Sequence, residues 1–140
     1  MNHLVFLDAQ AGELEKILSG MKTMLIKEFD PAQIPAHPVC PGDSLYFLRD
    51  KEDNALRVRA TVIRAQVFPH HTDDDLSRIL KEMQPRLQLT ENQFNYWSAK
   101  GQVLLVTFGS AQKISMIQIA SEKIADPSAW IAFEAFSLLV

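Results

Sequence analysis

The segment from Leu56 to Phe68, LRVRATVIRAQVF, constrains the fold of this chain more than any other stretch. Its first half alternates apolar and polar residues, a pattern typical of a β-strand with one buried face. The residues expected to face inward are Leu56, Val58, Ala60 and Val62, and those expected to face outward are Arg57, Arg59 and Thr61. The Ile63–Arg64 step breaks the alternation, which predicts a β-bulge at that point.

Shorter strands and helices are predicted on both sides of this segment. The predicted strands are His3–Leu7, Lys22–Phe29, Ser44–Asp50, Gln102–Phe108 and Lys113–Ile124, with Gly109 and Ser110 turning the chain between the last two. The predicted helices begin after Asp8 as N-cap, after Thr72 or Asp73, at Thr90 and near Asp126. Gly20 is expected to end the first helix in a left-handed cap, and Pro85 to interrupt the second.

This order of elements predicts an α+β fold with a mostly antiparallel sheet, in one domain spanning residues 1–140. The composition, 47% hydrophobic and 22% charged, is ordinary for a globular protein. No apolar run is long enough to predict a membrane span, and the first residues lack the pattern of a signal peptide. A cytoplasmic protein is therefore expected.

Charge and cysteine content narrow the classes of function. The net charge of −3 argues against broad electrostatic attraction to nucleic acid, although a local basic pocket is compatible with it. The single cysteine, Cys40, excludes an internal disulfide, and we expect it to be a small packed hydrophobe. His70 and His71 precede three aspartates, but their side chains are not expected to converge, so neither a metal nor another cofactor is predicted.

The segment EKILSGMKTMLIK, residues 15–27, combines the end of a helix, a glycine stop and a strand with lysines at both ends. Together with the Pro-Gly-Asp turn at 41–43 and the order of the strands, it resembles the ASCH domain of the PUA-like superfamily. The resemblance covers roughly residues 4–108. It implies a small β-barrel with inserted helices, which binds RNA or a modified nucleotide in a cleft beside the first helix.

Residue by residue, the resemblance implies ligand-binding roles for Lys22, Thr23 and Lys27, and structural roles for Gly20, Gly42 and Asp43. The family signature, Gly-x-Lys-x-x-Glu-x-Arg, falls on Gly20 and Lys22, then on Leu25 in place of the acid and Lys27 in place of the arginine. Lysine cannot reproduce the bidentate fork of arginine.

One branch of the family hydrolyses N4-acetylated cytidine with a lysine, a threonine three residues later and a downstream glutamate. Lys22 is therefore a weak catalytic candidate in this chain. Leu25 occupies the threonine position, and the acid would be Glu82 or Glu91. These residues leave open whether the chain is an enzyme, and a binding module is the favoured hypothesis.

Each of these residues could instead have a structural role that involves no ligand. Lys22 could be a solvated lysine near a helix C-terminus, and Lys27 a solvated strand end. Tyr96 and Trp97 could stack on a base, but core anchoring is expected of both. The apolar tail AFSLLV could form a homodimer seam. The functional hypotheses are thus a module for RNA or a modified nucleotide, an amidohydrolase for N4-acylated cytidines, and a protein-interaction domain, as a monomer or homodimer.

Overall fold

A computed structural model describes residues 1–30, 32, 38–50, 53–69, 75–120 and 130–136 of the chain. In these ranges the elements are β1 (Asn2–Phe6), α1 (Glu13–Leu18), β2 (Met24–Glu28), β3 (Ser44–Leu48), β4 (Ala55–Phe68), α2 (Leu76–Leu87), α3 (Glu91–Ser98), β5 (Val103–Gln118) and β6 (Trp130–Phe133).

The strands form one mixed sheet in the order β2-β5-β4-β3-β1-β6. β1 and β3 are parallel, and every other neighbouring pair is antiparallel. The sheet curls so strongly that its two edges approach each other, since the Lys27 ammonium on β2 lies 5.8 Å from the ring centroid of Trp130 on β6. The predicted fold class, an α+β protein with a small, mostly antiparallel curled sheet and inserted helices, is confirmed, and the described sheet forms a half-barrel.

Apolar side chains fill both faces of the curled sheet. One cluster contains residues of α1 and of strands β1 to β5, and its members include Leu14, Ile17, Leu25, Phe47, Val58 and Phe108. A second cluster packs α2 and α3 against β2 and β5 through Met24, Leu80, Leu87, Val103 and Leu105. β2 therefore lies between the two clusters, and its neighbouring residues point alternately into each.

The alternation predicted for β4 is confirmed, and so is the bulge. Val62 is opposite Phe108 and Arg64 is opposite Thr107, which leaves Ile63 without a partner across the ladder and largely exposed. A Cβ on Gly109 would lie 2.9 Å from Cδ1 of Ile63, so glycine makes room on β5 for the bulged side chain.

The turn predicted at Gly109 and Ser110 is wrong, because both residues lie inside the continuous strand β5. Ser110 adopts a positive φ of 56°. The register also shifts between Arg59 and Thr61, whose partners on β5 are Gln112 and Gly109. The irregular backbone is thus absorbed as a bulge within the ladder and does not reverse the chain.

Two predicted helix starts are corrected. Asp8 does not cap α1; Gly12 does, with a φ of 65°, and the Asp8 amide instead donates to the Glu13 carboxylate. The cap of α2 is Asp75, whose side chain accepts from the Ser77 amide, so neither Thr72 nor Asp73 has this role. Asp75 is the last aspartate of its run, and its carboxylate reaches an amide two residues further on.

Pro85 does not end α2, which continues to Leu87. A proline in the last turn removes one hydrogen bond, and the buried Leu87 anchors the turn to the core. Gly20 adopts a φ of 81° directly after the α1 C-cap, and Thr90 caps α3 in a capping box with Gln93, as the sequence predicts.

Several other expectations also have outcomes. Cys40 is exposed, so its assignment as a packed hydrophobe is wrong; the neighbouring Pro41 and Gly42 are exposed as well. Of the segment predicted as a helix near Asp126, only Trp130 is described, and it begins β6. His70, His71, Asp73 and Asp74 lie outside the described residues. Within the described ranges no helix is long and apolar enough to cross a bilayer.

Candidate functional site

Lys22 is the most buried lysine or arginine among the described residues, with 1% of its surface exposed. It follows the glycine that ends α1, and its backbone amide donates to the Lys16 carbonyl, which folds the chain back over the helix. Its Nζ donates to the Leu87 carbonyl and lies 3.8 Å from Oε1 of Glu13. The alternative reading of Lys22 as a solvated lysine is therefore wrong.

Glu13 supplies the carboxylate beside Lys22, and both of its oxygens are engaged. Oε2 accepts from the Asp8 amide at 2.7 Å, and Oε1 accepts from Nε2 of Gln93 at 3.1 Å. Sequence reasoning sought the acid downstream and missed this residue. A usable signal was present, because a short helix followed by a tight glycine turn returns the chain along that helix and brings its first residues near the start of the next strand.

The connection between α2 and α3, residues 87–90, covers Lys22; we call it the α2–α3 corner. Nζ of Lys16 donates to the Gln88 carbonyl at 3.2 Å, and Gln88 takes a left-handed φ of 53°. The side chain of Gln84 binds both the amide and the carbonyl of Leu89, at 3.2 and 2.7 Å. The corner is thus held by α1 on one side and by α2 on the other.

The electrostatic setting of Lys22 disfavours its protonated form. Burial lowers its pKa from 10.5 to about 8, and the nearby Lys16 ammonium acts in the same direction. The negative charge of the Glu13 carboxylate, whose Oε1 lies 3.8 Å from Nζ, opposes this shift. Lys22 is therefore an amine that exchanges its proton close to neutral pH, next to a carboxylate.

Thr23 and Lys27, the other two residues predicted to bind the ligand, have different surroundings from Lys22. The backbone of Thr23 joins two elements, since its amide donates to the Arg86 carbonyl and its carbonyl accepts from the Phe108 amide. Lys27 is half-buried near the opposite sheet edge, and burial lowers its pKa. Lys22 precedes β2, whereas Lys27 is the fourth residue of that strand and lies 5.8 Å from the ring centroid of Trp130 on β6. Around Lys22 and around Lys27 the structure therefore builds two separate polar groups.

The Pro-Gly-Asp turn leads into β3 and is tied to β4. Gly42 has a φ of 90°, its amide donates to the Val62 carbonyl, and the Asp43 carbonyl accepts from the Val62 amide. The Asp43 carboxylate accepts from the Cys40 amide at 2.9 Å and faces the buried ring of His3 at 2.8 Å.

No protein-family model matches the sequence, and no curated protein matches it either. Solved structures do match: the ASCH protein from Zymomonas mobilis superposes with a TM-score of 0.68 at 15% identity, over 99% of this chain and 96% of its own. A tyrosine-to-phenylalanine mutant of that protein matches with the same TM-score at 15% identity, over 99% of both chains. A serine-to-alanine mutant matches with a TM-score of 0.68 at 16% identity, over 99% and 96%.

The chain has the ASCH-domain fold.

Within this ASCH fold, Leu25, which stands where the family signature has its acid, lies in the core. Leu25 is 4% exposed and packs among the apolar side chains inside the sheet. The two acids considered downstream have other surroundings, since Glu82 forms an exposed ion pair with Arg78 and Glu91 lies on the exposed face of α3. The carboxylate that faces Lys22 comes from α1, outside the signature.

The aromatic and basic residues singled out in the sequence are divided between core and surface. Trp97 packs against the α2–α3 cluster, which confirms its role as a core anchor. The same expectation for Tyr96 is wrong: its ring is exposed, with the Lys100 ammonium 4.7 Å from its centroid. The strand arginines are exposed as predicted, and Arg57 pairs with Asp53 at 3.5 Å while Arg59 donates to Ser44.

Proposed function

We propose that this chain binds a nucleotide, or one nucleotide of a single-stranded RNA, beside α1, at the junction with the α2–α3 corner. The observation that carries the proposal is the buried Lys22–Glu13 pair with its lowered lysine pKa. Buried ion pairs contribute little net stability compared with apolar packing, and strongly perturbed pKa values cluster at functional sites. The pair is therefore better accounted for by recognition than by folding.

The groups at this junction suit a nucleotide. The Lys22 ammonium offers three donors for phosphate or exocyclic carbonyl oxygens. The Gln93 amide holds Glu13 in place, since its Nε2 donates to the Glu13 carboxylate while its Oε1 accepts from the Thr90 amide. The net charge of −3 and the ion pairing of Arg57 favour a small or unpaired target over a duplex backbone.

Access to Lys22 requires the α2–α3 corner to move, because the lysine is 1% exposed. The contacts to be broken are the hydrogen bonds from Lys22 to the Leu87 carbonyl and from Lys16 to the Gln88 carbonyl. A ligand phosphate or carbonyl oxygen would replace these backbone acceptors. Since only the opened form binds, the apparent affinity is reduced by the fraction of molecules that are open.

Calorimetric titration with cytidine 5′-monophosphate, and with a short single-stranded RNA, tests the proposal. Replacement of a charge-assisted hydrogen bond costs roughly 1.5–3 kcal/mol, so Lys22→Met is expected to weaken binding roughly tenfold or more. Lys113→Met removes an exposed lysine of β5 and is the matched control, expected to bind like the wild type. Absence of binding by the wild type, or equal loss in both variants, would reject the proposal.

Amide hydrolysis of N4-acylated cytidines is the second candidate, and the lowered pKa of Lys22 favours it specifically. An amine with a pKa of about 8 is partly neutral near physiological pH and can act as base or nucleophile, and the Glu13 carboxylate lies 3.8 Å from it. The hydroxyl of the amidohydrolase branch is replaced by the core residue Leu25.

Chromatography of N4-acetylcytidine incubated with the protein distinguishes this candidate from simple binding. Release of cytidine and acetate by the wild type, lost in Lys22→Met and kept in Lys113→Met, would support hydrolysis. No cytidine above the enzyme-free blank would remove this candidate and leave the binding proposal unaffected.

A further inference from the structure

A second buried titratable group, His3, lies apart from Lys22 and is fully enclosed, with 0% exposure. Its Nε2 is 2.8 Å from Oδ2 of Asp43, and its Nδ1 is 3.1 Å from the indole Nε1 of Trp130. The ring thus joins three parts of the fold: β1, the turn before β3, and the first residue of β6.

The two contacts together determine the tautomer of His3. An indole N–H can only donate, so Nδ1 of His3 must accept and carries no proton. The ring proton is then on Nε2, which donates to the Asp43 carboxylate. His3 is therefore a neutral imidazole with both nitrogens in use, one as acceptor and one as donor.

A second proton on His3 would have no acceptor. It would bind to Nδ1 and direct an N–H at the indole N–H of Trp130, so the hydrogen bond to Trp130 would be lost. The Asp43 carboxylate would favour the imidazolium. Two positive groups would repel it: the Lys27 ammonium and the Met1 amino group, which lies 3.3 Å from Oδ1 of Asp43. Burial outweighs the attraction of Asp43, so that the pKa of His3 lies below its usual value.

Trp130 connects His3 to the far edge of the sheet, where Lys27 lies. It pairs with Val5 in the β1–β6 ladder, and its ring lies 5.8 Å from the Lys27 ammonium on the opposite edge strand. The cation–π contact between the two edges therefore depends on a ring whose position is set by the hydrogen bond to His3.

We propose that His3 is a pH-sensitive latch on the curled sheet. In its neutral form it holds Trp130 against the Lys27 edge, and on protonation at Nδ1 it releases Trp130 and opens the contact between β2 and β6. The latch does not depend on the ligand proposed at Lys22.

Ring ¹⁵N NMR tests the premise of the latch. At pH 7.5 the His3 signals, assigned by their absence in His3→Gln, are expected to show a protonated Nε2 and an unprotonated Nδ1. In Trp130→Phe the indole donor is gone and Nδ1 is free to take a proton, so the pKa of His3 should rise. A proton on Nδ1 at pH 7.5, or a His3 pKa that is unchanged or lower in Trp130→Phe, would overturn the proposal.

Tryptophan fluorescence tests the release. The chain has 2 tryptophans, so Trp97→Phe leaves Trp130 as the reporter. Acidification below pH 6.5 should shift its emission to longer wavelength while far-UV circular dichroism still reports a folded chain. Asp43→Asn removes the favourable countercharge and should move the transition to lower pH, and His3→Gln should abolish it. No shift in the Trp97→Phe protein, a transition that persists without His3, or one that stays in place in Asp43→Asn would overturn the latch.

Discussion

Nζ of Lys22 and Oε1 of Glu13 lie 3.8 Å apart in a region where the lysine is 1% exposed, and the same carboxylate oxygen accepts from the Gln93 amide. The pair links the first residue of α1 to the connection between α1 and β2, and the Gln93 amide joins it to α3. Removal of one member leaves the other buried without its countercharge, which is the costly way to disrupt an ion pair.

Glu13→Gln is expected to reduce the free energy of unfolding by about 3 kcal/mol at pH 7, because it leaves the Lys22 ammonium buried without a countercharge. Chemical denaturation measures the change. Glu15→Gln is the matched control: this glutamate is in the same helix, but its pair with Arg49 is exposed on both sides. Exposed pairs contribute ~0–1 kcal/mol, so a loss in Glu15→Gln equal to that in Glu13→Gln would contradict the importance of the buried pair.

The lowered pKa of Lys22 predicts a characteristic alkaline behaviour. Between about pH 8 and 10.5 the unfolded lysine holds its proton and the folded one does not, so the free energy of unfolding rises with pH in this window. Below pH 8 both states are protonated, and the cost of burying the charge, about 3 kcal/mol, is fully present. The stability difference between wild type and Lys22→Met should therefore grow in favour of the wild type from pH 8 to 10.5. A difference that does not change with pH would show that Lys22 keeps an ordinary pKa.

Asp43 is expected to stabilise the fold at neutral pH and to lose this effect in acid. Burial opposes its ionisation, but hydrogen bonds from His3, the Cys40 amide and the Met1 amino group outweigh burial and hold its pKa below the usual 3.8. Its contribution is therefore present above pH 3.8 and is lost as the pH falls through the folded-state pKa. Asp43→Asn should be less stable than the wild type at pH 7, and denaturation curves of the two should converge in strong acid. Parallel curves from pH 7 to 2 would contradict this assignment.

The glycines provide a prediction about backbone conformation alone. Gly20 and Gly42 have φ values of 81° and 90°, and a Cβ on either would meet no atom within 4 Å. Alanine at either position should therefore cost about 1–2 kcal/mol through the left-handed backbone, without any clash. Gly101 also has open space, but no positive φ, so Gly101→Ala should be neutral or slightly stabilising. Thermal unfolding compares the three variants, and equal costs would exclude the conformational explanation.

Local sequence patterns predicted much of the fold. The inward-facing residues of β4, the bulge at Ile63 and the left-handed Gly20 all follow from side-chain alternation or backbone preference over a few residues. The errors arose where packing outweighed a local signal. Ser110 and Gly109 are typical turn residues, but the β4–β5 ladder runs through them as a bulge, and Pro85 is tolerated because Leu87 holds the last turn of α2 in the core.

The candidate site was predictable in part. Gly20 and Lys22 were recognisable because the helix stop and the lysine are only two residues apart in the chain. By itself, then, the sequence determined the strands, the glycine stops and the choice of Lys22. Only the tertiary structure decided that Glu13 is the acid beside Lys22, and that Trp130 fixes the tautomer of His3. The physical reason is that burial and hydrogen-bond partners depend on contacts between distant segments, which alternation and capping patterns do not encode.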